Sequence, residues 1–164
     1  MEEIGEKVEW VRLLYLYPSE LNTQLIEAIS SSAVPYYDLS LQHVSLPLLR
    51  RMKRWGGDEK FRALISRIRE SCPGAVFRSN FIVGYPGETE EDHDQLIDFV
   101  REMQLDWCGF FSFSDEQHTY ASGLDGKVDR SLVLERLKEL TSMQDEITSL
   151  KRDSLIGEKV SVLV

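Results

Sequence analysis

The chain has 164 residues, 42% of them hydrophobic, with 28 acidic and 19 basic side chains for a net charge of -9. That suffices for one ordinary domain with a real core, and the negative charge argues against non-specific attachment to nucleic acid. There is no apolar run of about 18 residues, and Met1-Glu-Glu-Ile-Gly-Glu-Lys-Val-Glu9 is charged where a signal peptide is apolar. No membrane contact is therefore expected, and the cytoplasm is the expected location. In chain order, Glu9 to Tyr17 reads as a strand, closed by Pro18-Ser19. Leu21, Leu25, Ile26 and Ile29 then follow helical spacing. Tyr36 to Gln42 is the second strand. Arg50-Arg-Met-Lys-Arg54 is the one basic cluster, expected as the solvated end of a short helix, where the dipole favours cations. Gly56-Gly57-Asp58 opens a longer helix carrying Phe61, Leu64, Ile65 and Ile68.

Cys72 closes that helix before Pro73-Gly74, and Ala75 to Gly84 is the third strand. A helix follows with Leu96, Ile97, Val100 and Met103, then a fourth strand from Trp107 to Ser114 that contains Cys108. The two cysteines lack a Cys-x-x-Cys partner, so no metal or cluster motif is present in the chain, and both are expected as small packing residues. After a Ser-, Gly- and Asp-rich loop, an amphipathic helix is expected from Asp129 to Leu155, packing across the outside of the sheet through Val133, Leu137, Leu140, Ile147 and Leu150. Strand and helix in alternation imply an α/β fold with a parallel sheet and right-handed crossovers. Four parallel strands cannot close a barrel, and Gly157 to Val164 reads as an alternating strand without partners. The expectation is a partial TIM-type barrel of about four βα units, belonging to a larger protein in which a β domain follows.

The run Asn80-Phe-Ile-Val-Gly-Tyr-Pro-Gly-Glu-Thr-Glu-Glu-Asp92 is the clearest candidate for a ligand-facing loop. A β-branched strand breaks into a Gly-Pro-Gly turn, and Thr89 with Asp92 resembles a capping box, so the loop lies at the carboxyl end of the sheet where α/β proteins bind ligands. In a barrel strand alternate side chains face inward, placing Asp38, Ser40 and Gln42 in one row and Arg78, Asn80, Ile82 and Gly84 in another. Polar groups there call for partners, either a bound polar ligand or an ion pair between Arg78 and Asp38 on neighbouring strands. His43 is either a catalytic or substrate-contacting residue or a loop anchor. Glu88 either serves helix-start electrostatics or touches the ligand. His93 is expected at the surface, and His118 has no assigned role.

With Arg12-Leu-Leu-Tyr-Leu-Tyr-Pro18, Tyr37-Asp-Leu-Ser-Leu-Gln-His43, Leu49-Arg-Arg-Met-Lys-Arg54, Arg78 to Asp92 and Phe111-Ser-Phe-Ser114 in series, the chain resembles the radical-SAM methylthiotransferases. Leu41-Gln-His43 and the Leu-Leu-Tyr-Leu-Tyr-Pro run resemble the RimO branch, which modifies an aspartate of a small-subunit ribosomal protein. The tRNA-modifying MiaB branch is the alternative. The resemblance implies S-adenosylmethionine and a 4Fe-4S cluster as cofactors, with the cluster cysteines absent from this chain and no metal ligand assigned within it. It further implies residues 1-128 as the carboxyl-side part of the barrel, 129-156 as a linking helix and 157-164 as the start of a truncated TRAM domain. On this reading Arg78 pairs with the methionine carboxylate, and Gln42 and Asn80 contact the ribose or amino group. The Gly84 region lets backbone approach adenine, while Asp38 and Glu88 complete the site. Ser40 and Gln117-His118 depart from the usual RimO pattern. Two other readings stay open: a non-enzymatic half barrel that pairs its open sheet edges with itself or another chain, and a metal-independent barrel enzyme using His43 and Asp38 as acid and base.

Overall fold

The computed structural model describes residues 7-8, 10-32 and 34-159. Helix α1 (Thr23–Ser32) begins where Asn22 accepts the Leu25 N–H at 2.9 Å, and it buries Ile26 and Ile29. Strand β1 (Tyr36–Gln42) leads through Ser45, the N-cap of the short α2 (Leu46–Arg51), whose last turn carries Arg50 and Arg51. Helix α3 (Asp58–Ser71) buries Phe61, Leu64, Ile65 and Ile68, which at helical spacing form one stripe. Strand β2 (Val76–Val83) passes into α4 (Glu90–Met103), opened by the full Thr89–Asp92 capping box. Strand β3 (Trp107–Ser112) and α5 (Arg130–Asp153), capped by Asp129, complete the order.

The strands run β1-β2-β3, all parallel, with Asp38 opposite Arg78 and Asn80 opposite Gly109. Tyr37, Leu39, Leu41, Phe77, Phe81 and Val83 face the helices and form the core with the apolar stripes of α1, α3 and α4. Helix α5 packs along β3 and α4, burying Val133, Leu140 and Ile147. Leu150, expected on that face, is 69% exposed, because Gln144, Thr148 and Lys151 turn the last turns of α5 toward the Leu105-Asp106 backbone and the Asp106 carboxylate.

The first expected strand is reduced to one parallel bridge between Leu16 and Leu39, held by Leu16 N–H to Asp38 O at 2.8 Å and Ser40 N–H to Leu16 O at 3.0 Å. Tyr15, at φ 58, takes the left-handed conformation and gives its N–H to the Asp38 side chain instead of a ladder, and Pro18 ends the extension. Glu9 lies outside the described residues, as do residues 160-164 of the strand expected from Gly157. No described helix is long and apolar enough to cross a membrane.

Candidate functional site

The polar rows lie together on the sheet face away from the helices. Arg78 Nη1 donates to both oxygens of Asp38 at 3.2 Å, so the neighbouring-strand ion pair is formed. The Asp38 side chain is 3% exposed and also accepts the Tyr15 N–H, whereas Arg78 is 36% exposed and keeps further guanidinium donors free for an anion. Asn80 Oδ1 is buried without a hydrogen-bond partner. A Cβ on Gly109 would come within 2.7 Å of that oxygen, so the glycine opposite leaves the amide room. Gln42 follows an irregularity in the β1 ladder, sits at φ 71, and reaches Ser40 Oγ at 3.4 Å. Trp107 and Phe111, both more than half exposed, supply the apolar part of this face beside Ile82.

At the carboxyl end of β2 the chain turns through Gly84, φ 79, where a Cβ would strike Val133 of α5 at 2.4 Å. The positive φ and the close approach both demand glycine. Gly84 N–H donates to Glu88 Oε2 at 2.5 Å, and Arg136 of α5 donates from Nη1 to Glu88 Oε1 and from Nη2 to Glu90, each at 2.8 Å. Burial pushes the Glu88 carboxyl upward, opposed by the Gly84 N–H and by Arg136. Gly87 N–H donates to Gly126 O at 2.7 Å, and Arg51 holds Asp125 through its carbonyl at 2.8 Å and its carboxylate at 2.6 Å, so the loop before α5 closes over the turn. A cavity of about 430 Å³ beside the turn is bordered by Gly84, Pro86, Ser112, Phe113, Lys127 and Val133.

His43 is fully buried where β1 ends. Its Nδ1 accepts the Ser45 N–H at 3.0 Å and its Nε2 has no hydrogen-bond partner. Burial drives its pKa down to about 4, outweighing the nearby Asp92, so it is a neutral imidazole that anchors the turn into α2. Ser45 Oγ donates in turn to Asp92 in the first turn of α4. Burial opposes ionisation of Asp92, yet hydrogen bonds from Ser45 and Thr89 hold its carboxyl below the usual value. His93, expected at the surface, is 2% exposed: α5 covers the start of α4, and His93 Nε2 meets Glu139 at 3.0 Å. His118 lies exposed in the loop after β3.

The structure thus brings Asp38, Arg78, Asn80 and Gln42 onto one face and places Gly84 and Glu88 at its carboxyl edge. Arg136 was not among the expected site residues. Its signal was present, since it falls on the apolar stripe between Val133 and Leu140, where a guanidinium is buried only against a partner. For an adenosyl sulfonium ligand the face fits in kind: free Arg78 donors and an unpartnered Asn80 oxygen. For an iron-sulfur cluster it does not fit. No group of three or more metal-ligating side chains exists among the described residues, Cys72 and Cys108 are both free, and burial raises the Cys108 thiol.

Parallel βα units with a polar strand face at the carboxyl end define a partial-barrel α/β protein, and solved structures agree. Coproporphyrinogen III oxidase (HemN) from Escherichia coli superposes with a TM-score of 0.68 over 81% of this chain and 31% of that one, at 17% identity. The radical S-adenosylmethionine methyltransferase TsrM from Kitasatospora setae gives 0.51 over 63% and 20%, at 19% identity. A family model described as the Radical SAM superfamily matches residues 2–100, and the chain belongs to that superfamily. Among curated proteins it is 47% identical over 159 residues to ribosomal protein uS12 methylthiotransferase RimO of Cutibacterium acnes, covering 96% of this chain and 33% of the relative. The RimO of Aquifex aeolicus is 43% identical, with 97% and 37% covered. The chain spans about a third of the length of these relatives.

Proposed function

We propose that this chain is the carboxyl-side part of the catalytic barrel of a RimO-type methylthiotransferase, which adds a methylthio group to an aspartate of the small-subunit ribosomal protein uS12. The observation that carries the reading is the similarity to relatives named for that activity, which extends over almost the whole chain, polar strand rows and α5 included. Their name favours a ribosomal protein over tRNA as substrate. Residues 1-128 then form barrel, 129-156 the linking helix and 157-164 the beginning of the next domain.

S-adenosylmethionine, when bound, supplies the methyl and radical chemistry, and this chain's residues bind and orient it. Arg78, steadied by Asp38, offers guanidinium donors to the methionine carboxylate, a bidentate match. Asn80 and Gln42 present side-chain amides to the ribose or amino group, and the Gly84 turn offers backbone to the adenine. Asp38 and Glu88 act through Arg78 and Gly84. His43, buried and neutral, anchors the loop beside the site. Cluster chemistry belongs outside this chain, so the isolated polypeptide is expected to bind S-adenosylmethionine weakly and to catalyse nothing.

The test exchanges these residues for the corresponding segment of the Cutibacterium acnes relative and follows uS12 by mass spectrometry. Methylthiolated uS12 supports the reading, and a folded, cluster-loaded chimera that leaves uS12 unmodified overturns it.

A further inference from the structure

Both oxygens of the Glu88 carboxylate are taken by protein groups, the Gly84 N–H at 2.5 Å and Arg136 Nη1 at 2.8 Å, and the residue is 7% exposed. Its side chain is 1% exposed, so the protein and not solvent surrounds it. Helix α5 meets the Gly84 turn and the start of α4 at three points about one turn apart: Val133 against Gly84, Arg136 on Glu88 and Glu90, and Glu139 on His93. Arg136 is 3% exposed, and its second Nη reaches Glu90 at 2.8 Å.

We propose that Arg136 and Glu88 are a positioning pair through which α5 sets the conformation of the Gly84-Gly87 turn, and with it the backbone that meets the ligand. This rests on the reading that the turn faces the adenosyl group. Gly84 and Gly87 both hold positive φ, a conformation open to glycine but not selected by it, since glycine populates many others as readily. Selection must come from outside the turn. An ionised carboxylate accepting a backbone N–H makes a charge-assisted bond, stronger than a neutral one. A buried carboxylate keeps its charge only beside a cation, and Arg136 is the cation bonded to it. Removing Arg136 therefore weakens the Gly84 bond at a distance. A movement of α5 would reach the ligand-facing turn by the same route.

The test uses the full 164-residue chain, with amide exchange at Gly84 and Gly87 read by NMR and S-adenosylhomocysteine as the calorimetric probe. Arg136→Met is expected to speed Gly84 exchange about tenfold and weaken the probe about tenfold, while amides of α3 keep their wild-type rates. Arg136→Lys, which keeps the charge, restores most of both. If the Met variant does not fold, the Lys variant carries the test with an expected change of about threefold. The exchanged pair Glu88→Arg with Arg136→Glu remakes the salt bridge but leaves Gly84 N–H without its acceptor. Melting temperature should recover in part, because the carboxylate of Arg136→Glu faces Glu90, while Gly84 exchange stays fast and the probe stays weak.

Unchanged Gly84 exchange in Arg136→Met, or in Arg136→Lys where the Met variant is lost, overturns the proposal. So does recovery of stability, Gly84 protection and probe affinity together in the exchanged pair, which is what a merely structural clamp predicts. A wild-type chain that does not bind the probe counts against the nucleoside assignment above, and Gly84 exchange then decides the positioning role alone.

Discussion

On β2, Phe77, Phe81 and Val83 are fully buried, while Arg78, Asn80 and Ile82, each one residue away, are not. The first set packs under helices α3 and α4, with Phe81 stacked on Phe110 and edge-on to Phe99. The second faces away from every helix and carries the groups suited to a ligand. The same strand thus holds the fold together with one face and leaves the other free to vary in chemistry. Stability should depend on the first face and ligand affinity on the second.

The most direct way to break that comparison is to truncate both faces. Phe81→Ala should cost about 4 kcal/mol in chemical denaturation, whereas Phe111→Ala, at 56% exposure on the other face, should change stability by no more than about 0.5 kcal/mol. Equal losses would mean the open face is covered in solution. Gly84→Ala lies at the boundary and combines an unfavourable φ with a 2.4 Å approach to Val133, so about 3 kcal/mol should be lost together with the turn geometry.

A pH titration sharpens the boundary further. The folded pKa of His43 lies near 4, below the value of 6.5 for an unburied histidine, so the unfolded chain binds the extra proton first. Its contribution is complete above about pH 6.5 and is lost as pH falls toward 4, on the order of 2 to 3 kcal/mol. Asp92, His93 and Arg136 face it, and Glu88, whose carboxyl is raised by burial, works in the opposite direction. His43→Asn preserves an acceptor for Ser45 N–H and removes only the histidine's share. The difference between the two denaturation-versus-pH curves should therefore appear between pH 4 and 6.5. Arg78→Ala leaves the 3%-exposed Asp38 carboxylate with only the Tyr15 N–H, so about 1 to 2 kcal/mol should be lost, and S-adenosylhomocysteine binding should fall severalfold in calorimetry. A large stability loss without any change in binding would reverse the roles of the two faces.

Much of this was legible in the residues. Period-two alternation in Arg78-Ser-Asn-Phe-Ile-Val83 places the polar row on one face, and the Thr89–Asp92 box marks the start of α4. The segment ending at Tyr17 had strand-like composition, but pairing depends on a backbone partner, and Tyr15 at φ 58 gives its N–H to Asp38 instead. His93 and Leu150 differ from expectation for a related reason: which side of a helix is covered depends on what packs against it, and α5 covers the start of α4 while its last turns present Gln144, Thr148 and Lys151 to the Leu105-Asp106 segment and leave Leu150 outside.

The sequence by itself determined the alternation of strands and helices, the apolar stripes, the glycine turn and the chemical character of the polar rows. These follow from side-chain period and local backbone preference, which act over a few residues. Only the tertiary structure decided that Arg78 bonds Asp38 and that Arg136 bonds Glu88. Those contacts join residues 40 and 48 positions apart in the chain, and only the packing of sheet against helix brings such pairs within hydrogen-bond distance.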